Sequence, residues 1–150
     1  MGGRRKAREL VLQACYAFEL SKNPPQQVLE TIILSADLDS GNKEFAAQLF
    51  QKTIDGIDEF NMMIRKKAAN WDLERIAIID RILLRMAICE FLYFDDIPPK
   101  VSIDEAIEIA KKYSTENSGR FVNGILDAIL NDLSKEGRIN KKGRGLDEGT

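Results

Sequence analysis

Apolar residues recur along this chain at three- and four-residue intervals, the spacing that places them on one face of an α-helix. The densest run covers residues 71–94 and is apolar on nearly every side when wound at 3.6 residues per turn. A helix of this kind is buried, with other helices packed on several sides. Its interspersed charges exclude a bilayer span. The pattern therefore predicts a central core helix, with Leu83 among its buried residues.

The same spacing predicts further helices, and no strand-like alternation occurs. They cover residues 4–21, 25–36, 43–68, 103–113 and about 118–133. We interpret Gly56 and Gly124 as points of close helix approach. The run from Ser102 to Glu105 has the form of a capping box, which predicts a helix start at 103. The fold class is therefore all-α, a bundle of about seven helices around a central buried one.

Composition and charge describe a folded domain without an evident catalytic centre. The chain has 150 residues, no histidine and a formal net charge of -2. A mildly acidic chain is not an indiscriminate nucleic-acid binder, although local basic patches remain available. The lack of histidine removes the commonest general base and metal ligand. Since no motif places the carboxylates for chemistry, and we interpret Glu90 as structural, we predict no enzyme, catalytic residue, metal or cofactor.

The cysteines and the two termini indicate a cytoplasmic protein. Cys15 and Cys89 each lie in an apolar run, which predicts buried, reduced thiols. The N-terminus lacks the long apolar segment of a signal peptide, so we expect cytoplasmic localisation and no membrane association. After residue 134 the chain is charged and glycine-rich, without apolar periodicity. We therefore predict a folded domain over 1–134 and a flexible charged tail over 135–150.

A basic cluster opens the first helix. Its members are Arg4, Arg5, Lys6 and Arg8. Cations at a helix N-terminus oppose the helix macrodipole, so local stability does not explain them. They would suit the phosphates of a nucleic acid. The alternative is a solvated helix end, and spacing alone leaves both interpretations open.

The start of the last helix carries a second candidate site. Phe121 points off the edge of the core face, beside Arg120 and one turn after Asn117. An aromatic ring flanked by an amide and a guanidinium can stack an unpaired RNA base. The alternative is that Phe121 belongs to the periphery of the core.

Charged residues of the central run form a third candidate. Glu74, Arg81 and Arg85 project close together at 100° per residue, with Asp80 on another side. Such a strip can be a solvated face or an internal set of ion pairs. A mixed-charge strip beside apolar flanks also suits a groove that orients a protein partner.

Several segments, read together, resemble a known family. The segments are RRKARELVLQACYAFELS, DRILLRMAICEFLYFDDIPPKVSIDEAIEIAKKYS and SGRFVNGILDAI. In order and spacing they are similar to the NusB family of transcription antitermination factors, over about residues 4–133. The resemblance implies two packed three-helix halves. It also implies joint binding, with ribosomal protein NusE, of boxA leader RNA within an RNA polymerase antitermination complex that acts on ribosomal RNA operons.

The resemblance also implies roles for individual positions. The RNA-binding positions are Arg4, Arg5, Lys6, Arg8, Asn117, Ser118, Arg120 and Phe121. The partner-binding positions are Tyr16, Glu74, Asp80, Arg81 and Arg85. Asn117 stands where some relatives carry an acidic residue. A homodimer stays open, as do two alternatives: an adaptor without RNA affinity, and a ribosomal RNA methyltransferase-type RNA-binding module lacking its catalytic domain.

Overall fold

The structure is a computed structural model that describes residues 2–68 and 73–146, and within these residues it contains seven α-helices and no strand. The helices are α1 (Gly2–Ser21), α2 (Pro25–Val28), α3 (Ser40–Asp55), α4 (Ile57–Lys67), α5 (Ile78–Tyr93), α6 (Pro99–Tyr113) and α7 (Glu116–Lys135). A π-helical turn, Leu29–Leu34, continues α2. The all-α class is confirmed. The helices fall into two compact units, residues 1–55 and 56–150.

In the first unit, α1 packs on α3 and on the turn that follows α2. The apolar face of α1 that contacts them is buried, including Val11, Ala14 and Cys15. Asp39 begins α3, because its Oδ1 accepts a hydrogen bond from the Asn42 backbone N–H at 2.8 Å. This bond is the main reason that the pKa of Asp39 is lowered. The cap fixes where α3 starts.

In the second unit, α5 packs against α4, α6 and α7. Every residue from Ile82 to Phe91 is buried, and Leu83 is only 1% exposed. The predicted central buried helix is therefore present over Ile78–Tyr93. Cys89 lies within it as a buried free thiol, as predicted, and Cys15 is likewise buried and free in the first unit.

The long helix predicted over 43–68 is wrong, because the chain breaks at Gly56 into α3 and α4. Gly56 leads into α4 with φ −100° and ψ 13°. A Cβ there would lie 2.5 Å from Cζ of the Phe60 ring, which is fully buried. The close contact expected at Gly56 is therefore made by the Phe60 ring, one helical turn further along the chain.

Two predicted helix starts also differ from the structure. The central helix begins at Ile78 after a 3₁₀ turn, Leu73–Arg75, while Trp71 and Asp72 lie outside the described residues. Helix α6 begins at Pro99, where a proline is favoured because it needs no intrahelical donor. Ser102 is thus inside the helix and buried. Its hydroxyl donates to Glu90 Oε1 at 2.7 Å, which confirms Glu90 as a structural carboxylate.

Candidate functional site

The basic cluster of α1 divides into exposed and buried members. Arg4, Arg5 and Lys6 are exposed, whereas Arg8 is only 4% exposed. Both Arg4 and Arg8 place their guanidinium groups over the Phe45 ring, 4.2 Å and 5.2 Å from its centroid. Cation–π contacts of this kind hold a guanidinium in place. Arg8 therefore contributes to the packing of α1 on α3, and a solvated helix end describes Arg4, Arg5 and Lys6 but not Arg8.

The first turn of α7 presents polar groups around one aromatic ring. Thr115 caps the helix, since its Oγ1 accepts a hydrogen bond from the Ser118 backbone N–H at 3.1 Å. Asn117 and Arg120 are exposed, and an Arg120 Nη2 donates to Asn117 Oδ1. Phe121 is half-buried. The hydrogen bond holds the guanidinium of Arg120 against Asn117, in the same helical turn as the half-buried ring. Base stacking by this ring stays a prediction.

Ser118 lies beneath this exposed turn. It is 8% exposed, and its hydroxyl donates to Ser114 Oγ at 2.8 Å. Its Oγ also lies close to the Asp80 carboxyl, at the start of α5. Ser118 is therefore a buried residue of this turn that packs against α5.

A neighbouring residue that the sequence did not single out is Lys111 of α6. A Cβ at Gly119 would come within 2.9 Å of Lys111 Cγ and 3.4 Å of Ile107 Cγ2. The aliphatic stem of Lys111 thus lies against the first turn of α7, and its ammonium is 3.5 Å from Glu108. The glycine before Arg120 is the only sequence signal of this contact. Gly124, by contrast, faces open space, so the close approach expected there is wrong.

Asp80 is a buried carboxylate, not the exposed partner contact that was expected. It is 6% exposed, and its Oδ1 has no hydrogen-bond partner among the described residues. Burial raises the pKa of Asp80, and the nearby Ser118 hydroxyl partly opposes that shift. Because Asp80 lies on α5 and Ser118 on α7, the N-terminal turns of the two helices lie close together here.

The charged strip predicted along one helix is not formed as such. Glu74 is exposed but lies in the 3₁₀ turn before α5, and Arg81 is half-buried. Arg85 is 4% exposed, and its Nε donates to Asn61 Oδ1 on α4 at 2.8 Å. Arg85 is thus not on a solvated face, and its hydrogen bond to Asn61 joins α5 to α4. Tyr16, the other predicted partner residue, is 39% exposed on α1 in the first unit.

The described residues contain neither a metal-binding cluster nor a membrane-spanning helix. Residues 2–68 and 73–146 contain no group of three or more Cys, Asp or Glu side chains arranged to hold a metal ion. Within the same residues, no helix has both the length and the apolar character needed to cross a membrane.

Comparison with known proteins decides the family. A model of the NusB family matches residues 5–131. The chain belongs to the NusB family. The transcription antitermination protein NusB of Salinibacter ruber is 51% identical over 147 residues, covering 97% of this chain and 92% of the relative. NusB is a family of transcription antitermination factors and not of enzymes.

Solved NusB structures share the fold. NusB of T. maritima is 41% identical, with a TM-score of 0.80, and the match covers 86% of this chain and 91% of that one. NusB in a complex of antitermination factors NusB and NusE with dsRNA is 24% identical, with a TM-score of 0.79 over 88% of this chain and 98% of that one. At that identity the second match shows the fold alone.

Proposed function

We propose that this NusB family member binds boxA leader RNA jointly with NusE, within the RNA polymerase antitermination complex of the cytoplasm. The observation that carries the RNA part is the first turn of α7. There a half-buried Phe121 follows an exposed Arg120 whose guanidinium is bound to Asn117. An accessible aromatic ring can stack an unpaired base, and a guanidinium can hold phosphate or a base edge. A family relative solved with NusE and dsRNA supports the choice of partners.

The exposed cations of α1 supply the electrostatic part of the proposal. Arg4, Arg5 and Lys6 would contact phosphates, while Arg8 keeps the helix packed on Phe45. Since the whole chain has a net charge of -2, RNA affinity would come from such local patches and would be modest without NusE.

The partner part of the proposal uses exposed residues. Tyr16 and Glu74 would contact NusE directly, and the half-buried Arg81 would contribute from its accessible side. Asp80 and Arg85 are buried, so they would stabilise the helix that carries Arg81 without contacting NusE themselves.

Fluorescence titrations of boxA RNA across salt concentrations, with NusE present, test the RNA roles separately. Phe121→Ala should cost ~1–3 kcal/mol of binding free energy with little change in salt slope, because one stacking contact is lost. Replacing Arg4 and Arg5 by Ala should weaken binding to any RNA and flatten the slope by ~0.7 per lost phosphate contact.

The matched control replaces Arg65 and Lys66 by Ala, two exposed cations at the end of α4. This variant removes the same charge and should keep the parent slope. If the arginine and Phe121 variants bind boxA as the parent does, either the RNA site lies elsewhere on the chain or the protein is an adaptor without RNA affinity of its own.

A further inference from the structure

The chain after α7 turns back onto the second unit. Gly137 has φ +70°, and its N–H donates to the Ser134 carbonyl at 3.1 Å. The next N–H, of Arg138, donates to the Leu133 carbonyl at 2.9 Å. This pair of bonds is the Schellman motif, which ends a helix and redirects the chain. The glycine therefore sets the direction of the segment that follows.

Lys141 then reaches the C-terminal end of α5. Its Nζ donates to the carbonyl oxygen of Glu90 at 2.9 Å and to that of Phe94 at 2.8 Å. The last turn of α5 contains no basic residue of its own. A cation is favourable at a helix C-terminus, where carbonyl groups carry the negative end of the macrodipole. Lys141 supplies that cation from about fifty residues further along the chain.

The backbone beside Lys141 completes the contact. The Lys142 N–H donates to the Asp95 carbonyl at 2.8 Å, and Gly145 is buried against the same carbonyl. A Cβ at Gly145 would overlap the Asp95 oxygen and approach Lys141 Cβ at 3.0 Å. Only a glycine fits this approach, so the fit depends on the shape of the segment as well as its charge.

An ion pair fixes the beginning of the segment. Arg138 Nη2 lies 2.9 Å from Glu59 Oε2 on α4, and the Tyr93 hydroxyl donates to Glu59 Oε1 at 3.0 Å. The segment thus contacts the end of α5 and one residue of α4 through polar groups of complementary charge.

We propose that residues 137–146 form a C-terminal clasp, whose binding site is the end of α5 made by the carbonyls of Glu90, Phe94 and Asp95. The occupant is the chain's own basic, glycine-containing segment. Lys141 serves this intramolecular site and is not a phosphate contact. The clasp holds the end of the core helix and keeps the segment bound to the second unit, where a flexible tail was expected.

Two adjacent lysines give a matched test of the clasp. Lys141→Met removes the ammonium that binds two carbonyls. Lys142→Met removes an ammonium that lies 3.9 Å from Asp95, on a side chain that is 80% exposed. The backbone N–H of residue 142, which donates to the Asp95 carbonyl, is kept. Hydrogen exchange is followed in peptides covering 137–146, together with thermal melting of the full chain. Lys141→Met should speed exchange at least about tenfold and lower Tm by roughly 2–8 °C, whereas Lys142→Met should change neither much.

A pair of glycines tests the shape requirement. Gly145→Ala should release the segment and speed its exchange as Lys141→Met does, because the added Cβ overlaps Asp95. Gly124→Ala adds the same methyl group in open space and should leave exchange in 137–146 unchanged. Equal exchange in parent, Lys141→Met and Gly145→Ala would overturn the proposal.

RNA titration distinguishes the clasp from an RNA-binding tail. Lys141→Met in the full chain should keep the parent salt slope for boxA RNA. A slope that flattens by ~0.7 would instead assign Lys141 to a phosphate and overturn the proposal.

Discussion

At the scale of single residues, several charged side chains of the second unit are buried and hydrogen-bonded, which their charge alone would not indicate. Arg85 is bound to Asn61, and Glu90 to Ser102, within the largely apolar helix α5. Buried polar groups are retained when hydrogen bonds satisfy them. Asp80 differs from these two residues, because one of its carboxylate oxygens has no hydrogen-bond partner among the described residues.

The raised pKa of Asp80 makes a prediction about pH. Burial favours the neutral carboxyl, so its stabilising contribution is fully present below the ordinary value of 3.8 and is lost as pH rises through the raised, folded-state pKa. Asp80→Asn keeps the size and the polarity of the side chain and removes the charge. We expect the variant to unfold at higher urea than the parent at about pH 7, with the difference vanishing near about pH 4.

The measurement is urea unfolding of both chains over roughly pH 4 to 8. Asp104→Asn, on an exposed carboxyl of α6, is the control and should show no such difference. A parent that is more stable than Asp80→Asn at neutral pH would mean that the charged carboxylate is favoured in the fold.

At the scale of elements, the sequence predicted helices wherever the apolar periodicity was strong. It did not predict helix boundaries that tertiary contacts determine. The apolar stripes of α1, α5 and α7 are visible in the pattern because burial follows the helical period. The break at Gly56 is not visible in the sequence, because the apolar pattern continues through it. Its cause is a buried ring that occupies the space where a Cβ would lie. Ser102 resembles a cap locally, yet its partner, Glu90, lies on another helix.

The glycine at the break supports a prediction on stability. Gly56→Ala should destabilise the chain by ~1–3 kcal/mol, because the new methyl group would overlap the Phe60 ring and overpacking has a cost of that order. Gly124→Ala is the matched control. It adds a methyl group to an exposed helical position in open space and should stabilise by ~0.5–1 kcal/mol. Chemical denaturation of both variants checks the opposite signs, and a stabilised Gly56→Ala would contradict the packing described here.

At the scale of the whole molecule, the sequence selected candidate residues by their chemical type, but it did not predict which of them are exposed. Arg120 and Phe121 have the accessibility that their proposed roles require, as do Arg4 and Arg5, whereas Arg8, Ser118 and Asp80 are buried. Helical spacing gives the direction of a side chain but not what covers it. Phe45 covers Arg8, and Ser118 lies against Asp80. The two residues of each pair are distant in the sequence, so helical spacing does not reveal these contacts.

The proposed NusE surface can be tested at Tyr16. An exposed tyrosine is a frequent anchor of protein interfaces, since it offers a large apolar ring with a polar tip. Tyr16→Asp would place an unpaired carboxylate in that interface, where a buried charge without a partner is strongly unfavourable. We expect a loss of at least about 2 kcal/mol in NusE affinity by calorimetry.

The matched control for Tyr16→Asp is Tyr113→Asp at the end of α6. The two rings are nearly equally exposed, 39% for Tyr16 and 38% for Tyr113, but only Tyr16 belongs to the proposed surface. Tyr113→Asp should therefore bind NusE as the parent does, which separates a local effect from the general effect of one added negative charge. Thermal melting of both variants checks that each remains folded. If folded Tyr16→Asp keeps the affinity of the parent, NusE binds a surface that does not include α1 at Tyr16.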